Sequence, residues 1–141
     1  MADIDVRPLC NGEIDEAYVV ARLSDPALDR QAWRATALAH GRTGPAEVIL
    51  CARRGGGPIC GVGRYRIETG AALHPTFQLL QLAAVDICRP GVVAAALMSE
   101  MLARARAGQC SALRLETRLP GVGDTLDLAL AAGLCRLHSL C

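Results

Sequence analysis

The chain has 141 residues, of which 52% are hydrophobic, and a net charge of +1, values that suit one domain with a buried core. Its basic residues are all arginine and are interspersed with acidic residues, so no basic run could follow a nucleic-acid backbone. No apolar run approaches the roughly 20 residues that span a bilayer, and we expect a single domain, residues 1–141, that binds neither nucleic acid nor membrane.

The seven cysteines stand singly along the chain. They form no CxxC pair and no Cys/His cluster at zinc spacing, so the sequence predicts no metal site. We expect most of them to be buried thiols of a cytoplasmic protein. Cys88 is a candidate nucleophile because it precedes a predicted helix, whose N-terminus lowers a thiol pKa. A thiol-based redox protein is therefore one possible function, weakened by the absence of a paired motif.

The first forty residues predict one strand and two helices. Residues 4–9 alternate apolar and polar side chains, as in a strand, and residues 13–23 place apolar side chains on one helical face. The segment Ser24-Asp25-Pro26 has the form of a helix start, with a capping residue before a proline. This pattern predicts a second helix that runs from Pro26 to His40.

The rest of the chain predicts a β-hairpin and two further strand–helix units. Residues 47–54 and 59–69 flank the turn Gly55–Pro58. The later elements are a strand at 76–87, a helix at 92–107, a strand at 112–117, a helix at 125–132 and a short strand at 134–140. The order β-α-α-β-β-β-α-β-α-β predicts an α/β (α+β) fold with a mixed six-stranded sheet and about four helices. The strands 76–87 and 112–117 should be parallel.

This order resembles that of the GNAT superfamily of acyl-CoA N-acyltransferases. The resemblance covers nearly the whole chain and is best in the stretches VILCARRGGGPICGVGRYRI, LAAVDICRPGVVAAALMSEML and DTLDLALAAGLCRL. It implies a GNAT-like fold and acetyl-CoA, or another acyl-CoA, as co-substrate. A seventh strand completes the family's sheet, whereas this chain has room for six. The resemblance therefore implies an open edge, and we expect a homodimer to cover it.

The loop before the predicted helix at 92–107 carries the family's pyrophosphate motif, Q/R-x-x-G-x-G/A, in altered form. Arg89 takes the first position, Val92 the middle glycine and Ala94 the last. The resemblance implies that backbone groups of Arg89 and of Gly91, Val92, Val93 and Ala94 hold the coenzyme A pyrophosphate at a helix N-terminus. Valine resists the positive φ that glycine permits, although Gly91 could supply it one position earlier. The alternative is a plain turn between a strand and a helix.

The family's strand before this loop bulges and leaves its neighbour, and the pantetheine arm pairs with the freed main chain. The resemblance implies that Val85 and Ile87 offer these backbone groups. In many members a glutamate accepts the amine proton and a tyrosine in the last helix protonates the thiolate. Here the tyrosine position is Ala129. Asp86 and Glu68 are the candidate bases, and an exposed or salt-bridged carboxylate is the alternative for each.

Tyr65 lies between two arginines on the predicted strand 59–69. Strand alternation predicts Tyr65 on one face of the sheet, with Arg64 and Arg66 on the other. Tyr65 is more typical of a core aromatic than of a catalytic acid. The arginines could line an acceptor site for an acidic substrate, or they could simply lie on a solvated face of the sheet.

The function implied by the resemblance is acyl-CoA-dependent N-acyl transfer, with acetyl transfer to an unidentified small-molecule or peptide amine. The alternative is a GNAT-like fold without catalysis that acts as a binding or dimeric interaction module. The missing tyrosine and the valine at position 92 favour this alternative.

Overall fold

The computed structural model describes residues 4–39, 47–68, 75–85 and 91–110, together with the backbone of residues 112–115. The strands β1 to β5 are Ile4–Pro8, Glu47–Arg54, Ile59–Glu68, Thr76–Ala84 and Ala112–Leu115. The helices α1 to α3 are Ile14–Ser24, Arg30–Ala39 and Val92–Ala107, and a short 3-10 helix, Asn11–Glu13, precedes α1.

The strands form one sheet in the order β1-β2-β3-β4-β5. The first three pairs are antiparallel, whereas β4 and β5 are parallel. The predicted parallel pair is therefore confirmed, and α3 connects its two strands. The fold is a mixed α+β fold. The predicted last helix and last strand, residues 125–132 and 134–140, lie outside the described residues, so the sixth strand and the fourth helix stay predictions.

The sheet has a buried core on each face. One core lies between the sheet and α3, and the other lies between the sheet and α1 with α2. In β2, Leu50 and Ala52 belong to the α3 side, whereas Ile49 and Cys51 belong to the α1 side. The alternation of side chains along the strand thus fills both cores from one apolar segment.

Two glycines in β3 bring α3 close to the sheet. Gly61 and Gly63 face α3, and a Cβ on either would collide with side chains of that helix: Val93 and Leu97 at Gly61, Met101 at Gly63. Because glycine has no Cβ, the helix lies directly on the strand backbone at these two points. This close packing fixes where the N-terminus of α3 lies relative to β3.

The start of α2 differs from the prediction. Ser24 is the last residue of α1, and Asp25 to Leu28 form a turn closed by a 3.0 Å hydrogen bond from the amide of Leu28 to the carbonyl of Asp25. The helix begins at Arg30. Asp29 caps it, because its Oδ2 accepts from the amide of Ala32 at 3.2 Å. The segment Ser24-Asp25-Pro26 therefore begins a turn, and the helix is capped later, by Asp29.

Candidate functional site

A β-bulge interrupts β4 at Leu80. In the pairing with β3, Arg64 lies opposite Gln81 and Tyr65 lies opposite Leu79, so Leu80 is the extra residue. A bulge bends its strand and shifts the alternation of side chains by one residue. The α3 face of β4 therefore changes from odd-numbered residues before Leu80 to even-numbered residues after it, and β4 can remain apolar on both faces.

Buried polar side chains tie the bulge to the end of α1. The side chain of Gln81 is 6% exposed and donates from Nε2 to the carbonyl of Ala21 and to Oγ of Ser24, each at 3.0 Å. Ser24 in turn donates from Oγ to the carbonyl of Ala21 at 3.0 Å. Since buried polar groups are costly unless they are bonded, this network fixes α1 against the bulge.

Beyond the bulge, β4 has one neighbouring strand among the described residues. The described pairing of β4 with β5 covers Thr76 to Leu79 and so stops before the bulge. On the other side the amide of Val85 donates to the carbonyl of Cys60 in β3 at 2.7 Å. Backbone groups of successive strand residues point to opposite sides, so those of Ala84 point towards the β5 side.

This hydrogen-bond phase bears on the predicted pantetheine contacts. The amide of Val85 is engaged by β3, so the main chain of Ala84, like that of Leu82, is aimed at the other edge. A role for Val85 in cofactor binding stays a prediction, and its donor is already used within the sheet. Ile87 and Asp86 lie outside the described residues. Sequence alone could not reveal the phase, because the position of the bulge decides it.

The N-terminus of α3 follows β4 in the chain and begins with a left-handed glycine. Gly91 has φ 85° and ψ −5°, and its carbonyl accepts from the amide of Ala95 at 2.8 Å. Val92 is the first residue of the helix. The positive φ therefore falls on Gly91 rather than on Val92. The objection that valine resists positive φ does not apply to this loop, since Val92 has helical geometry.

The first turn of α3 can present an anion-binding site. Amides at the start of a helix have no acceptor within the helix, and the helix dipole adds positive potential there. Val92 and Ala94, two of the predicted pyrophosphate-binding residues, lie in this turn with Val93, whose side chain is buried against Gly61. The packing of Val93 orients the turn. Arg89, the first residue of the motif, lies outside the described residues.

Glu68 lies at the other end of β3 from this turn. It is the last residue of the strand and pairs in register with Thr76, and its Oε1 is 3.5 Å from Nη1 of Arg66. From Thr76 to Ala84 a strand rise of about 3.3 Å per residue gives about 26 Å. The structure thus does not bring Glu68 to the first turn of α3, and its role as a base stays a prediction.

Tyr65 is part of the core, as its position predicted. Its side chain is 2% exposed and stacks on Phe77, with ring centroids 5.1 Å apart. Burial raises the pKa of the Tyr65 phenol, against a smaller opposite effect of Arg104. These properties suit a structural residue under α3.

Arg64 and Arg66 lie on the opposite face of β3, as the alternation predicted, and they share one carboxylate. Nη1 of Arg64 donates to Oε1 of Glu47 at 3.1 Å, and Nη2 of Arg66 is 3.8 Å from Oε2 of the same residue. Arg64 also lines a cavity of about 150 Å³ beside the bulge. The cavity is lined by Ser24, Asp25, Leu28, Trp33, Thr36, Arg64, Leu80 and Gln81.

We call this cavity the bulge cavity. Hydrogen bonds hold its wall in place. Trp33 donates from Nε1 to the carbonyl of Ile14 at 2.8 Å and is almost fully buried, and Gln81 is bonded to the end of α1 as above. The sequence named Arg64 as a candidate for acceptor binding. It gave no sign of the other lining residues, which come from three separate segments.

The described cysteines include two buried thiols, Cys51 and Cys110, while Cys60 is partly buried and Cys10 is exposed. Burial raises the pKa of Cys51 to about 11 and also raises the pKa of Cys110. Both thiols are therefore protonated at neutral pH, which does not suit thiol redox chemistry. Cys88 lies outside the described residues. Within the described ranges, no group of His, Cys, Asp and Glu residues could hold a metal ion.

Comparison with solved structures shows the fold. The aminoglycoside N-acetyltransferase AAC(6')-Iy in complex with CoA matches with a TM-score of 0.75, over 94% of this chain and 88% of that chain. The chain has the GNAT fold. The predicted GNAT-like mixed α+β fold is thereby confirmed, whereas its six strands and four helices stay predictions.

Other GNAT structures match over similar lengths. The aminoglycoside 6'-N-acetyltransferase AAC(6')-Ih from Acinetobacter baumannii has a TM-score of 0.73 and covers 94% of this chain and 90% of its own, with 12% identity. Glucosamine-6-phosphate N-acetyltransferase from Arabidopsis thaliana has a TM-score of 0.70 and covers 92% and 90%, with 11% identity. AAC(6')-Iy is 15% identical. The structural matches establish the GNAT fold, but at identities this low they leave the substrate open.

At the level of sequence, no protein family model matches the chain, and no curated protein matches it. Among the described residues, no helix is long and apolar enough to cross a membrane.

Proposed function

We propose that this protein is an acyl-CoA-dependent N-acyltransferase that transfers an acetyl group to an amine. The observation that carries the proposal is the left-handed Gly91 at the start of α3, in a GNAT fold whose β4 is bulged at Leu80. The similar protein AAC(6')-Iy was solved in complex with CoA. Gly91 lets the chain enter α3 without strain, and the free amides of the first helical turn are donors of the kind that bind anions.

Coenzyme A would contact this chain mainly through the backbone. The amides of Val92 and Ala94 in the first turn of α3 suit the pyrophosphate, and Arg89 would join them from the preceding loop. The main chain of Ala84, on the side of β4 away from β3, suits the amide groups of pantetheine. None of these contacts depends on a particular side chain, which fits the loss of the middle glycine of the motif.

The reaction would be a direct attack of the amine on the thioester. The carbon–nitrogen bond forms, the carbon–sulfur bond breaks, the amine gives up a proton, and the leaving sulfur takes one to become the CoA thiol. Asp86, Glu68 or water would accept the amine proton. Because Ala129 stands at the usual tyrosine position, the thiolate would be protonated by water.

Calorimetric titration of the purified protein with acetyl-CoA and with CoA tests the proposal. We expect micromolar binding. A screen of amines should then show one amine that gains the mass of an acetyl group. Mass spectrometry suits this screen because, unlike a thiol-reactive dye, it does not respond to the protein's own cysteines. Absence of binding at millimolar acetyl-CoA would overturn the proposal. Binding with no transfer to any amine would favour the non-catalytic alternative.

The homodimer also remains a proposal. Light scattering after size-exclusion chromatography would measure the mass in solution, and a single species at 14.8 kDa would contradict the dimer.

A further inference from the structure

The bulge cavity points to the class of the acceptor, an inference that rests on the proposed function. We propose that the acceptor is a small α-amino acid, with its carboxylate bound by Arg64 and its amino group drawn to Asp25. Both residues line the cavity, Arg64 from β3 and Asp25 from the turn after α1. The lining thus contains one cation and one anion, the complement of a zwitterion.

The guanidinium of Arg64 is partly exposed and lines the bulge cavity. Its Nη1 donates to Glu47, whereas its Nε is enclosed and has no hydrogen-bond acceptor among the described residues. Glu47 is shared with Arg66, so one carboxylate serves two guanidinium groups. Guanidinium groups bind carboxylates through two parallel N–H donors. Because Nε is enclosed, a carboxylate in the bulge cavity would meet the accessible part of the guanidinium, whose side chain is 27% exposed.

The size and lining of the cavity limit the rest of the acceptor. A volume of about 150 Å³ is close to that of a cavity that holds a benzene-sized molecule. Leu28, Trp33 and Leu80 supply apolar wall, which suits a short or apolar side chain. A polycationic aminoglycoside would need several acidic partners, whereas Asp25 is the one acid among the described lining residues.

The transfer is balanced as for any amine acceptor. The ammonium group loses one proton to water, and the neutral nitrogen forms a bond to the acetyl carbon. The carbon–sulfur bond breaks, and the sulfur takes a proton. The products are the N-acetylated amino acid and CoA, with one proton released to solvent.

The test compares each amino acid with the amine that lacks its carboxylate, for example leucine with 3-methylbutylamine and alanine with ethylamine, with kanamycin as the polycation. We expect kcat/KM to favour the amino acid by about 10- to 100-fold, the range of a charge-assisted pair. Arg64→Gln should abolish this preference, and Arg64→Lys should restore part of it. Arg66→Gln is the matched control, because Arg66 lies on the same face and pairs with Glu47 but does not line the cavity.

Each outcome separates the two proposals. If acetyl-CoA does not bind the wild-type protein, the proposed function fails and this inference fails with it. If acetyl-CoA binds but both members of each pair react equally, or kanamycin reacts best, only the amino acid class fails. An equal loss of preference in Arg64→Gln and Arg66→Gln would overturn the role of Arg64. Circular dichroism of each variant verifies folding.

Discussion

A Cβ on Gly61 would lie 2.6 Å from Cγ1 of Val93. Val93, the second residue of α3, therefore packs directly on the backbone of β3, near the turn that joins β2 to β3. Since Val93 lies in the first turn of α3, the glycine determines how close the proposed phosphate site comes to the sheet. Gly61 thus contributes to the proposed phosphate site because the absence of a side chain leaves room for Val93 and Leu97.

We expect Gly61→Ala to lower the free energy of unfolding by about 1–3 kcal/mol, as overpacking does in a dense core. Because α3 must move to accept the new methyl group, acetyl-CoA binding should weaken as well. Urea unfolding and calorimetry measure the two effects. Gly12→Ala is the control, since nothing lies within 4 Å of a Cβ there. Equal stability of the two variants would contradict the close packing.

Gly91→Ala should weaken acetyl-CoA binding through the backbone. The residue has φ 85°, a conformation that costs an alanine about 1–2 kcal/mol. Relief of this strain would turn the first amides of α3 away from their present direction. Val92→Ala changes the neighbouring helical residue and should leave binding nearly unchanged. Equal affinity of Gly91→Ala and wild type would separate the loop from coenzyme binding.

Glu13 joins β2 to the start of α1, and its ionisation should stabilise the fold. It accepts from Nη2 and Nε of Arg53 at 2.6 and 3.2 Å and from the amide of Cys10 at 3.1 Å. Hydrogen bonds from Arg53, more than any other cause, lower the pKa of Glu13 from 4.5 to about 2. Its stabilising effect is therefore complete above about pH 4.5 and is lost as the pH falls through 2.

Glu13→Gln should lower the free energy of unfolding at pH 7 by about 1–2 kcal/mol, between the values for exposed and buried ion pairs. It should also flatten the loss of stability between pH 4.5 and pH 2. Urea unfolding at a series of pH values measures both. Asp15→Asn removes an exposed pair with Arg34 and should change stability little. A pH profile of Glu13→Gln parallel to that of wild type would contradict the role of Glu13.

Gln81→Leu should destabilise the protein although it adds apolar volume to the core. The substitution removes two buried hydrogen bonds, to Ala21 and to Ser24, and we expect a loss of about 1–2 kcal/mol. The bulge would lose its tie to α1, so turnover of the acceptor should fall more than affinity for acetyl-CoA. Gln31→Leu, on an exposed position of α2, is the control. A stability equal to wild type would show that the network does not hold the bulge.

The sequence by itself determined the elements whose pattern is local. The bounds of α3 and β2 match the prediction, β3 matches over its described residues, and β4 ends at Ala84, earlier than predicted. A helical or strand period repeats within a few residues, and turns such as Gly55–Pro58 carry their own signals. The order of these elements predicted the parallel pair β4–β5, and its resemblance to the GNAT superfamily implied the fold.

Only the tertiary structure decided how the elements form a site. The bulge at Leu80, the hydrogen-bond phase of Val85 and the lining of the bulge cavity all depend on partners far away in the chain. The pair formed by Arg53 and Glu13 spans forty residues. Such features follow from which strands and helices are packed together, and a single sequence does not contain the register that sets them. The left-handed conformation of Gly91 depends on both levels. The sequence permits it by placing a glycine there, and the packed start of α3 selects it.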